Sequence, residues 1–143
     1  MEHIEEVRAR MRRAIDSLSQ RAAEHDQSKM QPPEVAAFDE MTPMLKTLTY
    51  GTPEYKESLV KLGPALQHHY SVNSHHPEFH DQGIKGMSLL DLVEMVCDWS
   101  AASIRTENAD LRRSLEINQE RFGYGDELKQ IMLNTMVELG LVK

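Results

Sequence analysis

Apolar positions along this chain recur mostly at spacings of three and four, the period of a helix with one buried side. Residues 2 to about 24 carry Ile4, Val7, Met11, Ala14, Ile15 and Leu18 at that spacing, with Arg and Glu between them. No Gly or Pro interrupts the run before Pro32-Pro33, though Asp16, Ser17 and Ser19 weaken its middle. Pro33 suits the first turn of a short helix through Phe38, and residues 41 to 52, with Thr42-Pro43 and Tyr50-Gly51-Thr52-Pro53, read as irregular. Thr52-Pro53-Glu54 is a helix start, a hydroxyl cap followed by proline at the first helical position. That helix runs toward Tyr70, with an interruption expected at Gly63-Pro64.

Residues 71 to 87 read as a polar loop, with Pro77, Gly83 and Gly86. Ser88-Leu89-Leu90-Asp91 then resembles a capping box, Asp replacing the usual Glu. It opens the most apolar helix, whose Leu89, Leu92, Val93, Val96 and Trp99 predict a broad buried face. Two further helices are predicted near 109–122 and 126–140, separated by Gly123-Tyr124-Gly125. No strand-like alternation, internal repeat or second domain stands out. The expectation is a single all-α domain over 1–143, a bundle of about six helices.

Composition changes this picture little. Hydrophobic residues are 40% and charged residues 27%, ordinary for a globular chain. The net charge of −7 argues against binding a nucleic-acid duplex through a basic footprint. A nucleotide substrate is still compatible, because a bound metal reverses the local sign. The one cysteine, Cys97, forms no intramolecular disulfide and reads as a buried small residue. The nine methionines read as core filler. The charged start and the lack of a long apolar run predict a cytoplasmic protein with no membrane partner.

The histidines add chemistry. Five of the seven, His68, His69, His75, His76 and His80, fall between residues 68 and 80. Another stands beside an aspartate in His25-Asp26. Imidazole and carboxylate together can hold Zn, Fe, Mn or Mg, so one or two divalent ions are the expected cofactor. Asp98 lies in the most apolar helix, where an ionised carboxylate needs a partner: a metal, an N–H or an arginine. His69 is favoured over His68 as a ligand, with Tyr70 and Asn73 as orienting neighbours. His80, beyond Pro77, is expected to be exposed. His3 precedes His25 by 22 residues, about 33 Å in one straight helix. It reaches the cluster only if the chain bends between Asp16 and Gln20, or if it serves a second copy in a homodimer.

The segment His25-Asp26-Gln27-Ser28-Lys29 resembles the His-Asp-x-x-Lys signature of HD-domain metal-dependent phosphohydrolases, especially the HD-GYP phosphodiesterases. His75-His76-Pro77-Glu78 is similar to their His-His-Glu segment, with Pro77 inserted and the Gly-Tyr-Pro element absent, so cyclic-dinucleotide specificity does not carry over. Ser88 to Ser103 resembles the late HD helix that ends in a metal-binding Asp, here Asp98. HDQSK, TYGTPEYKE, HHYSVNSHHPE, LLDLVEMVCDW and SLEINQERFGY together also look like a group of small HD-like proteins from bacteria and phages. The resemblance implies an HD-domain fold and the metal ligands His25, Asp26, His75, His76 and Asp98, with His3 and His69 as further candidates. It implies that Lys29 faces a phosphate, and Glu78 is the candidate proton carrier. The expected activity is hydrolysis of a nucleotide or another small phosphoester. A di-iron HD-type oxygenase, or a non-catalytic nucleotide- or metal-binding protein acting in phage–host conflict, is the alternative.

Overall fold

A computed structural model describes residues 1–104 and 110–142. Among the described residues six α-helices follow in chain order: α1 (Glu2–Glu24), α2 (Glu34–Leu45), α3 (Pro53–Val72), α4 (Leu89–Ile104), α5 (Leu111–Phe122) and α6 (Asp126–Glu138). Short 3₁₀ turns occupy Gln27–Met30, Pro77–Phe79 and Gly83–Gly86, and no strand occurs among the described residues. The all-α reading is correct.

The local signals act as their chemistry dictates. Thr52 caps α3 by accepting from the Tyr55 N–H. Gly63, at φ 34°, kinks α3 where Pro64 removes a backbone donor. Ser88 and Asp91 form a reciprocal capping box. Asp91 N–H donates to Ser88 Oγ at 3.1 Å, and Ser88 N–H donates to Asp91 Oδ2 at 2.8 Å. Asp110 caps α5, and the left-handed Gly123 ends it. Residue 109, the expected start of that helix, lies outside the described residues.

Three expectations change. The second helix does not stop at Phe38 but continues through Pro43 to Leu45. Its Met41 is buried, and α2 packs chiefly on α3, so burial outweighs one missing backbone bond near a helix end. Leu89 is 76% exposed, because the apolar stripe of α4 runs out in the helix's first turn. Cys97 is exposed rather than buried.

The core lies between α4, α5 and α6. Met95, Val96, Leu111, Leu115, Tyr124, Met132 and Met136 are buried together, with Leu92, Trp99 and Phe122 against them. Methionine does fill this core, but Met1, Met11, Met30 and Met44 are exposed. Among the described residues no helix is long and apolar enough to cross a membrane. The other side of α4 carries Asp91, Glu94 and Asp98 at spacings of three and four, so one acidic row faces away from the core.

Candidate metal centre

His25 and Asp26 stand just past the end of α1, not within it. His25 is the terminal cap, and Asp26 adopts a left-handed backbone at φ 56°. It is the one non-glycine residue at positive φ among the described residues. Such a backbone costs an L-residue about 1 kcal/mol, and Asp tolerates it better than most. The turn carries the Asp26 carboxylate inward toward α3 and the loop after it.

Asp26 becomes the middle of a histidine cluster. Its Oδ1 lies 3.4 Å from His69 Nε2 and 3.5 Å from His75 Nε2, and its Oδ2 lies 3.4 Å from His25 Nε2. His76 Nε2 approaches His69 Nε2 at 2.9 Å. Asp98 Oδ1 closes the other side, 3.7 Å from His25 Nε2. Ligand atoms of Asp26, His69, His75 and His76 all lie within 4.8 Å of one another, as do those of His25, Asp26 and Asp98. The two groups share Asp26.

Two glutamates turn the rings this way. Glu34, with 0% exposure, holds His69 Nδ1 at 2.9 Å and His68 Nδ1 at 2.7 Å, and accepts from Ser28 Oγ at 3.0 Å. Glu94 Oε1 holds His25 Nδ1 at 2.8 Å and His75 Nδ1 at 3.1 Å. Arg21 anchors Glu94 Oε2 and Asp91 Oδ1, each at 2.9 Å. A carboxylate can accept only from a protonated nitrogen, so each Nδ1 carries the hydrogen, and in the neutral rings of His69 and His75 Nε2 presents a lone pair. Carboxylate-backed imidazoles of this kind are the usual support of a metal-bound histidine.

The electrostatics agree. Burial holds His69 and His75 below the ordinary histidine range. Burial, with His75 and His69 adjacent, pushes His76 down to about 3. These imidazoles are neutral and able to ligate. His25 goes the other way, up to about 9, through Asp98 first and then Glu94 and Asp26. Burial would raise Asp26, but Lys29 and then His25 outweigh it and keep the carboxylate ionised. Burial likewise opposes ionisation of Asp98, and the His25 cation first, with Lys29, prevails.

Asp26 Oδ1 and His75 Nε2 are buried and have no hydrogen-bond partner. An orphaned carboxylate oxygen beside an orphaned imidazole nitrogen costs about 1–3 kcal/mol for each group. Two acceptors facing each other at 3.5 Å are held together favourably by a cation between them. The donor set of imidazoles and carboxylates therefore fits a divalent metal.

Residues 1–140 match the model of a Family of unknown function (DUF5662). The chain belongs to DUF5662. No curated protein and no solved structure matches it. For this DUF5662 member the cluster is accordingly read from its own geometry.

The structure brings together His25, Asp26, His69, His75, His76 and Asp98, and sets Lys29 beside them. Lys29 Nζ donates to Asp26 Oδ2 at 2.6 Å and lies over the Phe38 ring. His3 is not brought in: α1 is one unbroken helix, and His3 is exposed in its first turn. Glu78 stands at the edge, accepting from Arg121 at 2.6 Å. Arg121 also reaches the Tyr70 hydroxyl, and the Tyr70 ring lies 4.9 Å from that of His76. His68 is turned to Glu34 rather than to the cluster. His80 is half-buried, bonded through Nε2 to the Ser74 carbonyl, not free in solvent.

Sequence reasoning missed Glu34, Glu94, Asp91 and Arg21. The acidic row on α4 was a usable signal, since three carboxylates on one side of an apolar helix need partners. Glu34, after two prolines, carried none.

Proposed function

We propose that this protein is a metal-dependent phosphohydrolase acting on a nucleotide or another small phosphoester. The observation that carries the metal reading is the orphaned pair Asp26 Oδ1 and His75 Nε2, buried among neutral, carboxylate-backed histidines. The His-Asp-x-x-Lys pattern directs that reading toward phosphate chemistry. His69, His75 and His76 with Asp26 would hold one ion, and His25 and Asp98 with the same aspartate a second. When bound, such ions polarise a phosphoryl oxygen and lower the pKa of water.

The chain's own residues supply the remainder. Lys29, half-buried beside Asp26, offers the cation that pairs with phosphate oxygens. Glu34 and Glu94 hold the neutral His69 and His75 rings in one tautomer. Glu78 and Arg121 stand at the rim near His76, where the carboxylate can take a proton and the guanidinium can meet an anionic substrate group.

The test is metal analysis of untagged protein followed by phosphate-release assays on nucleotides and a model phosphoester. The expected result is bound divalent metal and hydrolysis abolished by a chelator. Metal-loaded protein that cleaves none of them, with Lys29→Ala leaving ligand binding unchanged, defeats the proposal. Iron with substrate-dependent oxygen consumption would point instead to an oxygenase. Nucleotide bound without turnover would point to a binding protein.

A further inference from the structure

The first thirteen residues are exposed except for half-buried Ala9, and α1 buries no residue along its whole length. Yet Ile4, Val7, Met11 and Ile15, each between 41% and 61% exposed, run down one side of it toward half-buried Leu18. A solvated helix has no use for such a row, and contiguous apolar surface marks an interaction site. Spacings of three and four are the seam of a two-helix coil.

We propose that this face pairs antiparallel with the same face of a second copy of the chain. Charge selects that occupant. The helix carries five acidic residues (Glu2, Glu5, Glu6, Asp16, Glu24) and five basic ones (Arg8, Arg10, Arg12, Arg13, Arg21). It is not the cationic helix that an anionic membrane or nucleic acid attracts. The two signs are also segregated: three glutamates lie within residues 2–6 and four arginines within 8–13. Arg8 and Arg10 pair with Glu5 and Glu6 in their own helix. Among the described residues Arg12 and Arg13 pair with no carboxylate.

In-register parallel pairing sets all four of these arginines level with arginines and all three glutamates level with glutamates. Antiparallel pairing with Val7 against Met11 of the second copy sets Ile4 beside Ala14 and Ile15 and brings Glu5 and Glu6 level with Arg13 and Arg12, leaving like charges level only at Arg8 with Arg10 and at Glu2 with Asp16. Every such contact occurs twice about the two-fold axis, a closed arrangement. At this register His3 lies beside Ile15 of the second copy. That is about 15 Å short of His25, so neither copy's His3 completes the other's metal cluster. The cluster, at the far end of α1, stays open in the dimer.

Sedimentation velocity and light scattering of the full chain test this. The wild type is expected to be a dimer, and Met11→Glu a monomer with unchanged helicity by circular dichroism. Arg12→Glu with Arg13→Glu weakens the dimer by about tenfold or more, and adding Glu5→Arg with Glu6→Arg restores it. In a Cys97→Ser background, Val7→Cys chains cross-link with Met11→Cys chains faster than Ile4→Cys chains link to themselves. A wild type that stays monomeric at its highest soluble concentration overturns the proposal. So does a dimer that survives Met11→Glu, a charge reversal that is not restored, or faster Ile4→Cys self-linking.

Discussion

Glu34 is the fully buried partner of His69, its Oε2 2.9 Å from Nδ1, and this turns His69 Nε2 toward Asp26 and His76. A helix that begins after two prolines thus orients a ring on α3, 35 residues later in the chain. The same carboxylate holds His68 and Ser28, so one group ties the turn after Asp26 to α2 and α3.

Glu34→Gln keeps the shape and removes the charge. Its amide can no longer accept from both imidazoles through charged oxygens, so His69 loses its fixed tautomer. Metal affinity is expected to fall about 10- to 100-fold. Competition against a chromophoric chelator measures this, and a Glu34→Asp variant that recovers part of the affinity separates charge from simple misfolding. Unchanged affinity in Glu34→Gln would remove the glutamate from the centre's support.

Divalent metal should raise the thermal midpoint of the chelator-treated protein, because it satisfies Asp26 Oδ1 and His75 Nε2, which have no other partner. Asp26→Asn should abolish that rise. A calorimetric scan with and without metal shows it. A wild type whose midpoint is indifferent to zinc, manganese and iron would contradict the reading of the cluster.

His25 gives the metal-free protein a pH dependence of definite sign. Its folded pKa is raised to about 9 by Asp98, Glu94 and Asp26. Its contribution to stability is therefore full below the unfolded value of about 6.5 and lost as pH rises through about 9. Metal binding requires the neutral ring, so affinity at this position should climb as pH rises over the same window while metal-free stability declines. Chelator competition and urea unfolding from pH 6 to 9, compared with His25→Gln, follow the two trends. Parallel trends in place of opposed ones would refute the assignment.

Asp91 behaves in the opposite sense. Burial would raise its pKa, but Ser88 through side chain and backbone, Ser74 and Arg21 hold it down to about 2. Its contribution is present above the unfolded value near 4 and lost as pH falls through about 2. The linked energy is about 2 kcal/mol. Asp91→Asn should lose stability of that order at pH 7 and flatten the acid limb of the urea-unfolding curve between pH 4 and 2. An unaltered acid limb would show that the capping box alone, and not the charge, holds this helix start.

The local signals were legible because they act over a few residues. Thr52-Pro53, Gly63-Pro64 and Ser88 with Asp91 set helix starts and a kink through bonds at most four residues apart. The early end assigned to the second helix failed for the same reason. Pro43 is a local breaker, while the burial of Met41 that overrides it comes from packing on α3. Leu89 and Cys97 show the converse, since a residue's apolar character does not say whether a neighbour arrives to cover it.

Histidine and aspartate types, and their clustering along the chain, were determined by the sequence alone. So were the helical class and the row of carboxylates on α4, which follow from periodicity. What only the tertiary structure decided is which of these groups meet. Glu34 joins His69, Glu94 joins His25 and His75, and an unbroken α1 carries His3 away from the cluster. The reason is geometric: helix period sets the direction of a side chain about its own axis, but meetings across 19 to 69 residues depend on how the axes pack. The left-handed turn at Asp26 is the clearest case, where one backbone angle converts a dipeptide into the centre of a site.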